Sequence, residues 1–364
     1  MNAAAVKYDG KHKYIRITDI DEETSAFIPN PLSSPDGEFE QRYLVKENDI
    51  LFARTGASVG KSYLYNSNDG ELYFAGFLIR ARIKPEYNGP FIYYQTKSKK
   101  YDRWVKLTSM RSGQPGINSQ EYSGYPIAIT GKVEQDKIAY FFQMLDNRIS
   151  VQNKIISDLK VLKKELCNKL FISSYCDKTI EIRQVANVYG GYAFNSKAYI
   201  NDGKYKIVTI GNVTGDKYIS GDYNRIDILP DNIQEQQILN NGDILISLTG
   251  NVGRISIVDG DNYLLNQRVA KLNVKNNLIK AYIYQYLSNS SFEKDMSNAG
   301  QGAAQKNIKN EDILSYNIRI PTSQTYLEKI DGLLSTYDKL IANEERFLLN
   351  LNIQKSFLLN AMFI

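Results

Sequence analysis

A single histidine, His12, and two cysteines, Cys167 and Cys176, stand among 364 residues, and that scarcity settles much of the possible chemistry. A Cys–His dyad or a Ser–His–Asp triad needs an imidazole to take the nucleophile's proton, and a histidine-rich metal site needs several. His12 stands in no recognisable dyad or triad pattern, and one histidine cannot build such a metal site within one chain. The cysteine spacing fits neither a zinc pattern nor a disulfide framework, which points to a reducing cytoplasm. Three segments imitate catalytic motifs. In Gly56-Ala57-Ser58-Val59-Gly60-Lys61-Ser62 three residues separate the glycines, whereas a loop that cradles phosphate with its backbone amides has four. Asn30-Pro31-Leu32-Ser33 lacks the second proline and the stacking aromatic of an amino-methyltransferase motif. Asp36, Glu38 and Glu40 lack the following Glu-x-Lys of a metal nuclease. No catalytic residue, cofactor or metal is therefore expected, and the chain reads as a binding protein rather than an enzyme.

What it binds is suggested by charge. Forty-five Lys and Arg against forty Asp and Glu leave a net charge of +5, mildly basic and permissive of a nucleic-acid partner. Lys97, Lys99, Lys100, Arg103, Lys106 and Arg111 cluster around Tyr101 and Trp104 with only Asp102 opposing them. Such a run suits contacts to phosphates. Apolar residues at 43% exclude a disordered chain, and no stretch approaches the ~20 uninterrupted apolar residues of a membrane span. The N-terminus carries no signal-peptide core.

These residues are positioned by elements that occur twice. Asp9-Gly10-Lys11 recurs as Asp202-Gly203-Lys204, and Asp49-Ile50-Leu51-Phe52-Ala53-Arg54-Thr55-Gly56 as Asp243-Ile244-Leu245-Ile246-Ser247-Leu248-Thr249-Gly250. Residues 117–129 match 308–320, and 136–172 match 328–364 without a gap at an offset of 192. Separated blocks in one order are a tandem duplication. Each copy opens with short apolar runs between Gly, Asn and Asp turns, which predict strands of a β-rich domain, and closes with a long helix. Residues 133–172 hold no Gly or Pro. The apolar stripe Ile138, Phe142, Leu145, Ile149, Ile156, Leu159, Leu166, Leu170 keeps heptad steps through Gln152 and Lys163, and its copy keeps them through Glu344 and Lys355. A sustained 3.5-residue repeat predicts helix–helix pairing.

A globular domain with an Asp-Ile-Leu-x-x-x-Thr-Gly turn, an Ile318-Arg319-Ile320-Pro321 strand and a long heptad helix, all repeated, resembles the specificity subunit of type I restriction–modification enzymes. Copy two carries the fuller pattern, with Ile180 to Ala186, Gly190-Gly191 and Asn266-Gln267-Arg268-Val269-Ala270. The resemblance covers essentially the whole chain. It implies an α+β fold of two target recognition domains at 1–131 and 173–322, each followed by a spacer helix at 132–172 and 323–364, the helices pairing as an antiparallel coiled coil with pseudo-twofold symmetry. It also implies a non-catalytic reader of a bipartite double-stranded DNA target. Its partners would be modification subunits and, through them, restriction subunits, with no membrane and a cytoplasmic location. The competing reading is a structural adaptor, with two protein-binding domains on a coiled-coil spacer. Copy one lacks a counterpart of 173–192, so its first domain is expected to expose apolar surface there.

Within this frame Arg54, Lys61, Lys97, Lys99, Lys100, Arg103, Arg111, Ser112 and Gln114 are the DNA-contact candidates of copy one. Those of copy two are Asn195, Lys197, Asn251, Arg254, Gln301 and Gln305. Arg, Gln, Asn and Ser read base edges, while Lys and Arg neutralise phosphates. In the seam, matching buried charges predicts Lys163 opposite Glu344 and Gln152 opposite Lys355.

Overall fold

The computed structural model describes every residue except Glu23, Glu38, 301–305 and Ile364, and of Asn277 and Leu278 the backbone alone. The chain forms two compact units, Met1–Lys154 with Glu345–Ile364, and Ile155–Glu344.

In the first unit the strands are β1 (Ala5–Lys7), β2 (Lys13–Ile15), β3 (Ser33–Pro35), β4 (Asp49–Ala53), β5 (Ser62–Leu64), β6 (Leu72–Phe74) and β7 (Leu78–Arg82). Helices α1 (Gly89–Gln95), α2 (Lys99–Thr108) and α3 (Ser119–Ser123) follow, then the long α4 (Lys132–Ile172), which continues into the second unit. Strand β4 shows why the run after Asp49, Ile50 to Ala53, is apolar throughout. Successive side chains point to opposite faces of a strand. Ile50 and Phe52 join a core with α1 and α2, while Leu51 and Ala53 join a second core with Ile15, Tyr63 and Leu72. A strand buried on both faces has no polar alternation to show. β4 lies between β5 and β7, both antiparallel to it.

The second unit repeats the plan with β8 (Lys178–Glu181), β9 (Ala186–Gly190), β10 (Tyr205–Val208), β11 (Asn224–Ile226), β12 (Ile238–Leu239), β13 (Ile244–Ser247), β14 (Ile255–Ile257), β15 (Tyr263–Leu265), β16 (Val269–Val274) and β17 (Asn317–Ile320). Its helices are α5 (Asn277–Leu287), α6 (Ser290–Ala299), α7 (Asn310–Leu314) and α8 (Gln324–Met362), the last ending in the first unit. Ile244 and Ile246 of β13 face one core and Leu245 another, as in β4. The central sheet here has four strands, β14-β13-β16-β9.

The turn after each central strand is held by glycine. Gly56 and Gly60 have φ of +73° and +88°, and Gly250 and Gly253 have +73° and +80°. Positive φ is thus present at this connection in both copies, and it serves packing. A Cβ on Gly60 would lie 2.5 Å from Val105 Cγ1 of α2, and one on Gly253 2.8 Å from Met296 Cβ of α6. Strained φ and overpacking each cost ~1–3 kcal/mol. Gly60→Ala should therefore lower the urea midpoint by an amount worth about 2 kcal/mol or more, and an unchanged midpoint would show that α2 does not dock on this turn.

The long helices run antiparallel in each unit. In the first, Phe142 of α4 and Leu359 and Phe363 of α8 share the core of the globular domain. In the second, Cys167 and Phe171 of α4 pack with Leu327, Ile330 and Leu334 of α8. Every seam position named from the sequence is buried or half-buried, and of the equivalents of the α4 stripe in α8 only Met362, the counterpart of Leu170, is exposed. The register differs from the expected one. Lys163, expected opposite Glu344, forms an ion pair with Asp338, and Lys355, expected opposite Gln152, reaches Asp146 at 2.5 Å. Asp146 and Asp338 are repeat equivalents, as are Lys163 and Lys355, so one pair is made twice. Each carboxylate also ties in the adjoining domain, since Tyr94 Oη donates to Asp146 Oδ2 at 2.8 Å and Gln285 Nε2 to Asp338 Oδ2 at 2.6 Å. The partners chosen are carboxylates flanking the stripe, Asp338 at 10% exposure and Asp146 at 36%. No described helix is long and apolar enough to cross a membrane.

Candidate nucleic-acid interface

In both units the glycine turn is clamped to a second loop, and the clamp gathers several candidate readers. Gly56 N–H donates to Pro115 O at 2.9 Å and Ile117 N–H to Arg54 O at 2.9 Å. This lays 109–117 alongside 54–56 and brings the Gln114 side chain against Gly56. Arg54, Arg111, Ser112 and Gln114 are exposed around this clamp. Arg111 is partly engaged, by the Thr108 and Met110 carbonyls and an ion pair with Glu121. In the second unit Gly250 N–H donates to Lys306 O at 3.2 Å and Ile308 N–H to Leu248 O at 2.9 Å, the same clamp. Asn251 is exposed there, in a cleft of about 280 Å³ shared with Ser290, Lys294, Ser297 and Lys306.

Helix α2 begins at its N-cap Ser98, whose Oγ accepts the Tyr101 N–H. Tyr101 and Val105 face the core, so Lys99, Lys100, Arg103 and Lys106 are left on the exposed face with Leu107. Lys97, one residue before the cap, behaves differently. Its ammonium donates to Ser25 Oγ, Ser62 O and Ser62 Oγ at 2.8–3.0 Å and sits 4.6 Å from the Tyr93 ring centroid. All three of its donors are spent, so the sequence assignment of Lys97 to phosphate is corrected to a structural role. Burial, with the nearby Lys355 charge, lowers its pKa from 10.5 to about 7, against the opposing pull of Asp102 and Asp146. A group whose folded pKa lies below its unfolded one binds fewer protons when folded between the two values, so its contribution to stability rises with pH from about 7 towards 10.5. Lys97→Met should flatten the rise in stability over that interval. An unaltered pH slope would place the ammonium in solvent.

Lys61 and Arg254 end the two glycine turns as equivalents, and both are ion-paired, Lys61 with Glu22 at 2.7 Å and Arg254 with Glu293 at 3.3 Å. Glu22 is four-fifths exposed and Glu293 about half. Pairs this exposed contribute up to ~1 kcal/mol, so an approaching phosphate can take over either cation. Asn195 caps a short turn, accepting the Lys197 N–H at 3.0 Å. Its neighbours Phe194 and Tyr199 pack with Ile207 and Leu264, in a core separate from that beneath Asn251. The structure therefore does not bring Asn195 and Lys197 to the clamp. Gln301 and Gln305 lie outside the described residues. Lys306, exposed beside Asn251 and donating to Ser297 Oγ at 2.6 Å, was missed. Repeat alignment sets it at the place of Pro115, next to Gln114, and that was its signal.

This duplicated arrangement has relatives. The model of the Type I restriction modification DNA specificity domain matches residues 2–161 and 178–352. A chain from a study of complex assembly and conformational transition in the type I R-M system is similar in structure, with a TM-score of 0.59 at 14% identity over 96% of this chain and 90% of that one. The type I restriction–modification S subunit from M. genitalium aligns with a TM-score of 0.57 at 16% identity over 100% of this chain and 93% of its own. Two family matches, one on each copy of the domain-plus-helix plan, establish that this chain belongs to the type I restriction–modification DNA specificity family.

Proposed function

We propose that the chain reads a bipartite duplex DNA target, one half-site per domain, for modification subunits that dock on α4 and α8 and perform the chemistry. The observation that carries this reading is the paired clamp. The backbone frame, from the positive-φ glycines to the two inter-loop hydrogen bonds, is the same in both units, while the side chains on it differ. Arg54, Arg111 and Gln114 occupy one and Asn251 and Lys306 the other. A scaffold kept constant with its polar tips changed is what reading two different half-sites demands. α2 adds a cationic face in copy one where α6 carries Glu293, Lys294 and Asp295. Docking on the helices is supported by apolar side chains outside the seam. Phe141, Met144 and Val151 of α4 and Phe347, Ile353 and Phe357 of α8 are exposed in the first unit. Leu162 of α4 and Leu333 and Leu340 of α8 are exposed in the second.

The test is methyl transfer by the chain reconstituted with its modification subunits, using duplexes altered in one half-site at a time. Loss of methylation on altering either half is expected. Methylation indifferent to one half would refute bipartite reading. DNA affinity that barely changes with salt would favour a protein-binding adaptor instead, because phosphate contacts release counterions.

A further inference from the structure

The two central sheets differ by one strand, and the difference defines a docking surface. In the second unit β16 is paired on both sides, with β13 and with β9, in the register Ala270↔Gly190, Lys271↔Tyr189, Leu272↔Val188, Asn273↔Asn187 and Val274↔Ala186. Its equivalent in the first unit, β7, is paired with β4 alone and ends the sheet β5-β4-β7. Among the described residues no strand pairs with its other edge. The consequence is visible in burial. Val269 to Leu272 are all buried, whereas of the matching Leu78 to Ala81 only Leu78 is.

A second site beside it tells the same story. β17 pairs with β8 through Ile318↔Ile180 and Ile320↔Lys178. The matching residues of copy one, Ile127 and Ile129, are 41% and 51% exposed, whereas Ile318 is fully buried. Backbone direction is preserved. Ala128 O accepts from Gln95 of α1 at 2.8 Å, as its equivalent Arg319 O accepts from Tyr282 of α5 at 2.6 Å. Because neighbouring residues of an extended chain aim their backbone groups to opposite sides, those of Ile127 and Ile129 face away from the helix, towards the open side. In the second unit the covering segment also fills the core, with Ile180, Ile182 and Ala186 buried and Val185 and Val188 packed on them.

We propose that the β7 edge and the 127–129 stretch of the first domain bind a polypeptide segment of the 178–192 pattern by strand addition. The occupant is committed by the sister domain. It is two strands with aliphatic side chains at the places of Ile180, Ile182, Ala186 and Val188, the second strand lying antiparallel to β7 so that Val188 falls opposite Ala81 and Tyr189 opposite Arg80. Main-chain hydrogen bonds supply the affinity and the alternate pockets the specificity, as in other β-augmentation complexes.

The probe is a labelled synthetic peptide of residues 178–192, Lys-Thr-Ile-Glu-Ile-Arg-Gln-Val-Ala-Asn-Val-Tyr-Gly-Gly-Tyr, titrated into the full chain with amide hydrogen exchange read in parallel. Saturable one-to-one binding is expected, with protection appearing at Arg80 and Arg82, whose N–H groups face away from β4, and at Ile127 and Ile129. A peptide with Tyr189→Pro, which removes the ladder donor that would face Arg80 and clashes in the sheet, should bind about tenfold more weakly or worse. Absence of binding, equal binding by the proline peptide, or protection confined to 269–274 would overturn the proposal. So would a dimer of the chain in which Arg80 and Arg82 are already protected without peptide, since a second copy would then hold the edge.

Discussion

Replacing Lys99, Lys100 and Arg103 together with alanine should weaken duplex binding by the assembled complex about a hundredfold at 0.15 M salt, equally for target and unrelated DNA. The three side chains stand on the exposed face of α2, and none of them forms an ion pair among the described residues, so none is diverted by a carboxylate. Each phosphate neutralised contributes ~0.9 to the slope of log K against log salt, so three lost contacts should reduce that slope by about 2.7. Extrapolating from 1 M salt to 0.15 M converts the same figure into roughly two decades of affinity. Alanine is at least as good a helix former as lysine, so α2 should persist and circular dichroism should be unchanged. Gln114→Ala and Asn251→Ala make the contrast. Each should cost ~1–3 kcal/mol at one half-site only, leaving unrelated DNA bound as before. A triple variant that keeps its salt slope would remove α2 from the interface.

That contrast between α2 and its neighbours marks how far sequence alone could reach. The duplication was legible because each copy must rebuild the same doubly buried strand, and Ile50-Leu51-Phe52 cannot drift far while facing two cores at once. The helical stripe was legible for a similar reason, since burial on one side enforces a period. The fate of Lys97 was not. It belongs to the same basic run as Lys99 and Lys100, yet it precedes the helix cap and turns inward to Ser25 and Ser62, partners 72 and 35 residues away in the chain. Lys306 was hidden for the opposite reason. It stands outside any basic run, and only the clamp to Gly250 brings it beside Asn251. The missing counterpart of 173–192 predicts exposed apolar surface in the first domain, and Ile127 and Ile129, whose equivalents pair with β8, are exposed. The strand-shaped character of the open β7 edge needed the pairing of β9 in the sister domain.

The seam register failed in the sequence for want of two carboxylates, and the same two carry the remaining large effect. Lys163→Met should destabilise the chain by about 2–4 kcal/mol, because it leaves Asp338 with a single neutral donor in a site where its side chain is only 10% exposed. Asp338→Leu should cost a similar amount by stranding the ammonium. The double variant Lys163→Met with Asp338→Leu should recover most of the loss, since two apolar side chains of similar volume avoid the desolvation that the pair had to overcome. The coupling energy of that cycle is the decisive number. It should be about 1 kcal/mol or larger for Asp338 and close to zero for the parallel cycle with Glu344→Leu. The reverse ranking would restore the register in which Glu344 faces Lys163. The duplicated pair supplies an internal control. Lys355 and Asp146 repeat the interaction at 24% and 36% exposure, where solvent screens both charges more effectively. Asp146→Leu should therefore shift the urea midpoint in the same direction as Asp338→Leu but by less. It should also release the Tyr94 hydroxyl, whose bond to that carboxylate couples α1 to the helices. If the two substitutions cost the same, burial does not set the strength of the pairs, and the domain-anchoring bonds to Tyr94 and Gln285 dominate instead.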